Sequence, residues 1–266
     1  MLSLTNENYH SIQANLDYMS RSQYIGFAYV CEAREMAKLA GTWIEFLTTP
    51  LIVGNYVHSW NSGTQVEFVA NNPWIFTKAN TLRAEYQLAD EMIVSLQDDP
   101  FVMACLDGEK DKILTAEMYG ATWKIMMNAR NNTARHIVDL RTTRSIQEKV
   151  WDEVSRTHVS FLAYYKAPLQ AAIYTEIERL AMGRAAEDWS EFWVVAVSKE
   201  KFPDKAVFNM TDSTRLGTEL AAVQTKMPRI IAVKSGQEQP ARCEVCDYCK
   251  STKVLSGAVL YSGSGL

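Results

Sequence analysis

Three short apolar segments lie close together between residues 113 and 143, and they constrain the fold more than any other part of the sequence. Residues 113–118 and 121–129 flank Tyr119-Gly120, which is typical of a β-hairpin. Asn131-Asn132-Thr133 predicts a further turn, and residues 136–141 predict a third strand. This part of the chain is therefore expected to form a small sheet.

Helical periodicity surrounds these predicted strands. Apolar spacing predicts helices over residues 20–47, from Pro50 past Trp60, over 79–96, over 146–181 with a break near Pro168, and over 213–235. A continuous apolar run at 192–198 predicts a buried strand, with residues 206–210 as its pairing candidate. The order of helices, strands, helix, strand and helix predicts an α/β fold.

Composition narrows the class of protein. The chain has 266 residues, of which 47% are hydrophobic and 22% charged, which is typical of a globular protein. The net charge of −4 excludes a histone-like nucleic-acid partner, although a local basic channel stays possible on an acidic body. No apolar run reaches the roughly 18 residues that span a membrane, and the N-terminus lacks the features of a secretion signal, so we expect a cytoplasmic protein.

The most chemically suggestive pair lies in the third predicted strand, where Asp139 is followed by Arg141. Successive side chains of a strand point to opposite faces, so these two share a face. Carboxylates hold Mg²⁺, which activates water and neutralises the charge that develops during phosphodiester cleavage. Taken alone, however, an Asp-X-Arg sequence is more typical of a surface ion pair.

Several segments together resemble a known family. They are Ser22-Gln23-Tyr24, Phe27, Cys31-Glu32-Ala33, Leu51-Ile52-Val53-Gly54-Asn55-Tyr56-Val57-His58, Leu114-Thr115-Ala116-Glu117-Met118-Tyr119-Gly120, Val138-Asp139-Leu140-Arg141-Thr142-Thr143, Leu169-Gln170-Ala171-Ala172-Ile173-Tyr174 and Val195-Ala196-Val197-Ser198. In this order, over residues 18–255, they resemble the restriction-endonuclease-like PD-(D/E)XK nucleases, and among these the phage and prophage exonucleases related to exonuclease VIII and lambda exonuclease. The resemblance implies a central mixed sheet flanked by helices, with an N-terminal helical region and a C-terminal cysteine-rich tail.

The resemblance also implies roles for individual residues. His58 would be a metal ligand or lie beside the metal, Asp139 would be a bridging metal ligand, and Gln170 would orient the scissile strand. Glu117 is a further candidate metal ligand. Without the resemblance, His58 fits a packed core histidine and Glu117 a solvated charge at a strand edge.

Two catalytic positions depart from the family pattern. Asn128, eleven residues before Asp139, stands where the family has aspartate, and Arg141 stands where it has the catalytic lysine. Asparagine offers a metal a neutral carbonyl instead of an anion. Arginine stays protonated and can clamp a phosphate, but it cannot act as a base.

The resemblance implies a Mg²⁺- or Mn²⁺-dependent exonuclease that resects double-stranded DNA ends in a bacterial cell. Such an enzyme passes its product to a single-strand annealing protein and is expected to be a homo-oligomer. Asn128 and Arg141 favour an alternative, a catalytically inactive nuclease fold that binds DNA or a host protein, for example to inhibit host defence. A structural or assembly factor of a phage recombination system is a third reading. If the protein holds DNA, the candidates for a basic path are Lys124, Arg130, Arg141, Arg144 and Lys149.

Five cysteines form the remaining signal. Cys243, Cys246 and Cys249 fall within seven residues, and Cys31 is their obvious fourth partner, whereas Cys105 stands apart. Nucleases of CRISPR adaptation and of bacterial recombination share one early and three late cysteines around a 4Fe–4S cluster, which is the expectation here. Zinc and plain reduced thiols stay open as alternatives.

The sequence predicts three parts of the chain. They are a polar arm or short helix at 1–17, a nuclease-like domain at 18–240, and a cysteine-rich segment with a flexible tail at 241–266.

Overall fold

A computed structural model describes residues 1–153 and 155–258. Its α-helices are α1 (Ile12–Asp17), α2 (Arg21–Ile25), α3 (Glu32–Leu39), α4 (Thr49–Asn61), α5 (Gln65–Asn71), α6 (Ala84–Gln97), α7 (Pro100–Leu106), α8 (Phe161–Tyr164), α9 (Ala167–Ala181), α10 (Ser213–Lys234) and α11 (Asp247–Ser251). Its strands are β1 (Lys112–Met118), β2 (Ala121–Met127), β3 (Ala129–Asn131), β4 (His136–Thr143), β5 (Val150–Asp152), β6 (Thr157–Val159), β7 (Glu191–Ser198) and β8 (Lys205–Asn209). Most of the expected flexible tail lies outside the described residues.

The central sheet is mixed and has the strand order β3-β4-β7-β8. Strands β4 and β7 are parallel, because the chain between them crosses over through α9, and the other neighbours are antiparallel. The hairpin of β1 and β2 has the register Lys112↔Met127, and the isolated bridge Glu109↔Arg130 continues that register onto β3. One continuous run of chain, interrupted only at Asn128, therefore belongs first to the hairpin and then to the sheet.

Hydrophobic packing covers both faces of this sheet, and β4 shows how the faces are divided. Ile137 packs into a core with residues of α9, α10 and the hairpin. Val138 and Leu140 pack on the opposite face with residues of α4, α6 and α7. Alternation along the strand then places Asp139 and Arg141 on the same side as Ile137, which is the side of α9.

The N-terminal segment packs against the domain. The Ser11 side chain caps α1, and the Tyr18 hydroxyl donates to the Leu2 carbonyl at 2.7 Å. Tyr9 and Tyr18 are both buried. Of the two expectations for residues 1–17, the short helix is the one present in the structure.

The C-terminal segment returns to the start of α3. The Ala33 amide donates to the Ala241 carbonyl at 3.0 Å, and the Ala241 amide donates to the Glu32 carboxylate at 2.7 Å. Arg229 of α10 also binds Glu32, at 2.7 Å. The contact between Ala241 and Glu32 joins residues that are 209 positions apart in the chain.

Two predicted helices were wrong in extent. In place of one helix over 20–47, the structure has three shorter elements: α2, a π-helical turn at Gly26–Val30, and α3. Helix α3 ends at Leu39 because Gly41 adopts the left-handed φ of 70°. The apolar Ile44, Phe46 and Leu47 beyond it are exposed. The start of the helix predicted over 146–181 is instead the β5–β6 hairpin, whose strands contain β-branched valine and threonine.

No described helix has the length and apolar character needed to span a membrane.

Candidate active site

Asp139, Arg141 and Gln170 form a closed hydrogen-bonded triangle. Arg141 donates to Asp139 Oδ2 from Nε at 2.9 Å and forms an ion pair with the same oxygen from Nη2 at 2.7 Å. Its Nη2 also donates to Gln170 Oε1 at 2.6 Å, and Gln170 Nε2 donates to Asp139 Oδ1 at 2.8 Å. Both carboxylate oxygens of Asp139 are therefore in use. The pair arises from alternation along β4, and Gln170 reaches it from the first turn of α9.

Asn128 occupies the break between β2 and β3 and faces two partners. The Leu140 amide donates to Asn128 Oδ1 at 3.0 Å. Since a backbone amide can only donate, this contact fixes the orientation of the carboxamide and turns its nitrogen toward His58 Nδ1, 3.1 Å away. His58 thus accepts at Nδ1, and the neutral ring carries its proton on Nε2.

His58 comes from α4, which packs closely on β4. Gly54, one turn earlier in this helix, makes the approach possible, since a Cβ there would lie 3.1 Å from Thr142 Oγ1. Burial lowers the pKa of His58, and the negative charges of Asp139 and Asp111 oppose that effect. The imidazole is therefore held in its neutral form near pH 7.

Two cavities meet at this site. The inner cavity is about 340 Å³ and the outer one about 500 Å³, and Arg21, His58 and Asp139 line both. Arg141 and Lys199 add further cations to the wall of the outer cavity. Arg21 donates to the Tyr165 carbonyl, but its buried Nε makes no hydrogen bond within the described residues. The outer cavity therefore presents positive charge beside the Asp139 carboxylate.

The structure brings together His58, Asn128, Asp139, Arg141 and Gln170, but it does not bring Glu117 to them. Glu117 is exposed near the tip of the β1–β2 hairpin, where it accepts from the Thr122 hydroxyl. Its cross-strand partner Thr122 is six strand positions from Asn128, which is about 20 Å. Glu117 is therefore not part of the candidate site, contrary to its expected role as a metal ligand.

Asp111 is a carboxylate that sequence reasoning missed. The shared register of Lys112↔Met127 and Glu109↔Arg130 places Asp111 directly opposite Asn128. Its backbone has the left-handed φ of 47°, uncommon for a residue other than glycine, and its charge acts on His58. The available signal was the hairpin register, which predicts which residue faces Asn128.

Two residues of the predicted basic path are buried, and that part of the prediction was wrong. Lys124 is 1% exposed and donates to the Tyr9 carbonyl and to Asn15 Oδ1, and burial lowers its pKa to about 8. Arg130 is 5% exposed and pairs with Glu178 at 2.9 Å. Arg144 and Lys149 are exposed, as expected of a surface path.

The four cysteines grouped by sequence converge in space. Cys31 and Cys249 are buried, Cys243 and Cys246 are partly buried, and all four sulfur atoms lie within 4.8 Å of one another. Cys105 is buried elsewhere, among residues of α6 and α7. The cluster could hold a metal ion.

The candidate active site can also accept a divalent ion, although with little negative charge. Mg²⁺ prefers oxygen ligands, and the Asp139 carboxylate and the side-chain Oδ1 of Asn128 are such groups. An ion there would compete with Arg141 and Gln170 for the oxygens of Asp139. Asp139 is thus the anchor of any metal site at this position.

The mixed sheet, with Asp139 on a central strand and Gln170 on the helix that follows it, defines a PD-(D/E)XK nuclease-like protein. A family model described as "PDDEXK-like domain of unknown function (DUF3799)" matches residues 20–252. The chain belongs to this family. The sequence-based assignment to PD-(D/E)XK nuclease-like proteins, with a mixed sheet flanked by helices, is confirmed.

Among solved structures, a "putative exonuclease" from Eubacterium rectale is 36% identical, with a TM-score of 0.90 over 98% of this chain and 97% of that one. The structure of SSO0001 is 12% identical, with a TM-score of 0.31 over 81% of this chain and 89% of that one. A search of curated proteins finds no match. The family and the first structure together support a nuclease function.

Proposed function

We propose that this protein is a metal-dependent nuclease that degrades double-stranded DNA from its ends. The observation that carries the proposal is the position of Asp139, held by Gln170 and Arg141 where the two cavities meet. A carboxylate fixed beside cationic side chains suits a phosphodiester, whose charge the cations attract and whose metal ion the carboxylate holds. Resection of ends for phage recombination, with a single-strand annealing protein as partner and a homo-oligomer as the working form, belongs to the same proposal.

The side chains divide the work by their chemistry. A bound divalent ion would supply activation of water and neutralisation of developing negative charge. Asp139 would hold that ion, and Gln170 orients the carboxylate. Arg141 cannot take a proton and serves as a clamp for the phosphate. His58, neutral and protonated on Nε2, can donate a hydrogen bond but carries no charge to repel the ion.

Asp111 would supply the negative charge that Asn128 lacks. It stands opposite Asn128 in the hairpin register, and it acts electrostatically on His58. A carboxylate just before the neighbouring strand β1 can enter a metal site through one water molecule, as Mg²⁺ commonly keeps several of its waters. Asp111→Asn should therefore weaken metal-dependent cleavage while leaving the fold intact.

A second candidate function is DNA binding without cleavage. The specific observation in its favour is that the oxygens that would bind a metal already accept hydrogen bonds from the protein. Both Asp139 carboxylate oxygens accept such bonds, and Asn128 Oδ1 accepts from the Leu140 amide. Both residues that depart from the family pattern make such contacts: Arg141 donates to Asp139 Oδ2, and Asn128 Oδ1 accepts from the Leu140 amide. In this reading the cationic outer cavity holds the DNA end.

A cleavage assay decides between the two functions. Linear duplex DNA is incubated with the purified protein and Mg²⁺ or Mn²⁺, beside Asp139→Ala and the double variant Asn128→Asp/Arg141→Lys. His158→Ala, an exposed histidine on β6, is the matched control. Cleavage that Asp139→Ala abolishes and His158→Ala leaves unchanged supports the exonuclease. Intact DNA with the natural protein, and cutting by the double variant, supports the inactive binder.

A binding assay tests the substrate class itself. Affinity for duplex ends should fall steeply with salt, with a log–log slope of about −0.9 for each phosphate contacted. Arg144→Ala should make the salt dependence shallower, reducing the magnitude of the slope by about one, because Arg144 is an exposed candidate for phosphate contact. A protein with no affinity for duplex or ends at low salt would contradict both functions.

A further inference from the structure

The cysteine cluster joins two distant parts of the chain in one small volume. Cys31 lies between the π-helical turn and α3, whereas Cys243, Cys246 and Cys249 lie just before and within α11. Cys31 Sγ is 3.6 Å from Cys249 Sγ, and Cys243 Sγ is 3.9 Å from Cys249 Sγ. These separations bear on which metal the cluster fits.

A single ion and an iron–sulfur cubane place very different demands on four sulfurs. Around one zinc ion, with Zn–S bonds of about 2.3 Å, the edges of the sulfur tetrahedron are about 3.8 Å. In a four-iron cubane each thiolate binds a different iron, so the body of the cluster must fit between the four cysteine sulfurs. The separations of 3.6 and 3.9 Å match the edges around one ion, and with all four sulfurs within 4.8 Å of one another there is no room for the cubane.

We propose that these four cysteines hold one tetrahedral zinc ion, not the 4Fe–4S cluster that the family resemblance implies. Four thiolates and no fifth ligand make a closed, structural site with no open position for a substrate. The inference rests on the sulfur geometry alone and does not depend on whether the protein cleaves DNA.

The groups around the sulfurs fit this assignment. Backbone amides point at three of them: Arg34 N lies 3.5 Å from Cys31 Sγ, Cys246 N 3.3 Å from Cys243 Sγ, and Cys249 N 3.5 Å from Cys246 Sγ. Such N–H···S contacts stabilise thiolates around a metal and fix their orientation. Two of these contacts each span one Cys-X-X-Cys spacing, which occurs in both zinc and iron–sulfur sites, so the sulfur separations decide between the two metals.

The arginine of the same loop completes the surroundings. Arg242 donates to the Cys249 carbonyl at 2.8 Å and lies over the Tyr248 ring, 5.7 Å from its centroid. Its positive charge lies beside a centre that would carry a net charge of about −2, from four thiolates and one Zn²⁺. Arg242 also pairs with Glu244 at 2.8 Å, so it offsets only part of that charge, while the oriented amide donors are already in place.

The test is the metal content of the full-length protein. It is produced in medium supplied with iron, cysteine and zinc, purified without oxygen, and analysed for both elements and for visible absorbance. We expect about one zinc per chain, no iron and no colour. Exchange with Co²⁺ should give the intense visible bands of tetrahedral cobalt–thiolate. About four irons per chain in a brown protein, or protein without either metal, would overturn the proposal.

Variants locate the ion. Cys246→Ser, at a partly buried position, should lower zinc content and make the remaining ion easier to remove with a chelator. Cys31→Ser should do the same and also lower thermal stability, because it frees the start of α3. Cys105→Ser is the matched control, since it removes a buried thiol outside the cluster, and it should retain one zinc. Equal zinc in Cys246→Ser and Cys105→Ser would contradict the assignment even if Cys31→Ser fails to fold.

Discussion

Replacing Glu178 tests the network that fixes α9 against the sheet. Glu178 is 1% exposed, and its carboxylate binds Arg130 of β3 at 2.9 Å, Arg184 beyond the end of α9, and the Ser190 hydroxyl at 3.0 Å. α9 also carries Gln170, so this network positions the helix that presents Gln170 to Asp139. Glu178→Ala leaves two guanidinium groups close together without their shared carboxylate.

The cost follows from the burial of the partners. Removing one member of a buried ion pair costs about 3–5 kcal/mol. Arg130 keeps Asn132 at 2.9 Å and Glu109 at 3.3 Å, so the lower end of that range applies. About 3 kcal/mol corresponds to a loss of about 6–12 °C in Tm for a chain of this size. The exposed pair of Arg144 and Glu148 is the control, and Glu148→Ala should change stability by less than about 0.5 kcal/mol.

The effect should also depend on pH. Burial acts to raise the pKa of Glu178, but hydrogen bonds from Arg184 and Arg130 outweigh it and hold the pKa below the usual value. The network therefore stabilises the fold above the unfolded-state pKa of about 4.3, and this contribution is lost as the pH falls through the lower folded-state pKa. Urea melts at pH 7 and near pH 3 should show the difference between natural protein and Glu178→Ala shrinking in acid. An equal difference at both pH values, or a cost no larger than that of Glu148→Ala, would refute the reasoning.

Further predictions concern the site and two glycines. Asn128→Asp should raise the pKa of His58, because a carboxylate oxygen would replace the amide nitrogen that faces Nδ1. NMR titration of the four histidines measures this pKa, and an unchanged curve would contradict the contact between residue 128 and His58. Gly26→Ala should lower Tm, because its Cβ would lie 2.2 Å from Glu35 Oε2. Gly217→Ala, on an exposed part of α10 with nothing within 4 Å, should instead raise stability by about 0.4–1 kcal/mol, and thermal melts compare the two directly.

Local patterns predicted much of the sheet. The Tyr119-Gly120 turn and the alternation through Asp139 and Arg141 depend on neighbours in sequence, and the hairpin and β4 form where these patterns place them. The pairing of β4 with β7 follows from the helix between them, which is also readable from the chain. Gln170 entered the predicted site through the family resemblance, as a residue that orients the scissile strand, because no local pattern places it near Asp139.

Burial of charged residues could not be read in the same way. Lys124 is buried because the N-terminal segment covers it, and its partner Tyr9 is 115 residues away. Arg130 is buried because Glu178, 48 residues later, is positioned by α9. Both were expected on a DNA-binding surface, since a lysine or arginine without a visible partner in sequence is usually exposed. The apolar residues after Leu39 were wrongly predicted to be helical, because their spacing continues the helical pattern past Gly41. In the structure the helix ends before Gly41, and Ile44, Phe46 and Leu47 are exposed.

The contacts between α3 and the C-terminal segment turn the chain between Glu32 and Ala241 into a closed loop. A protease that cuts an exposed connection within this loop, such as the one between Ala181 and β7, would leave two pieces still held by that closure and by the shared core. The nicked protein should then migrate as one species on a native gel and as two bands only after denaturation. Resistance to cleavage and resistance to dissociation are therefore separate properties of this molecule.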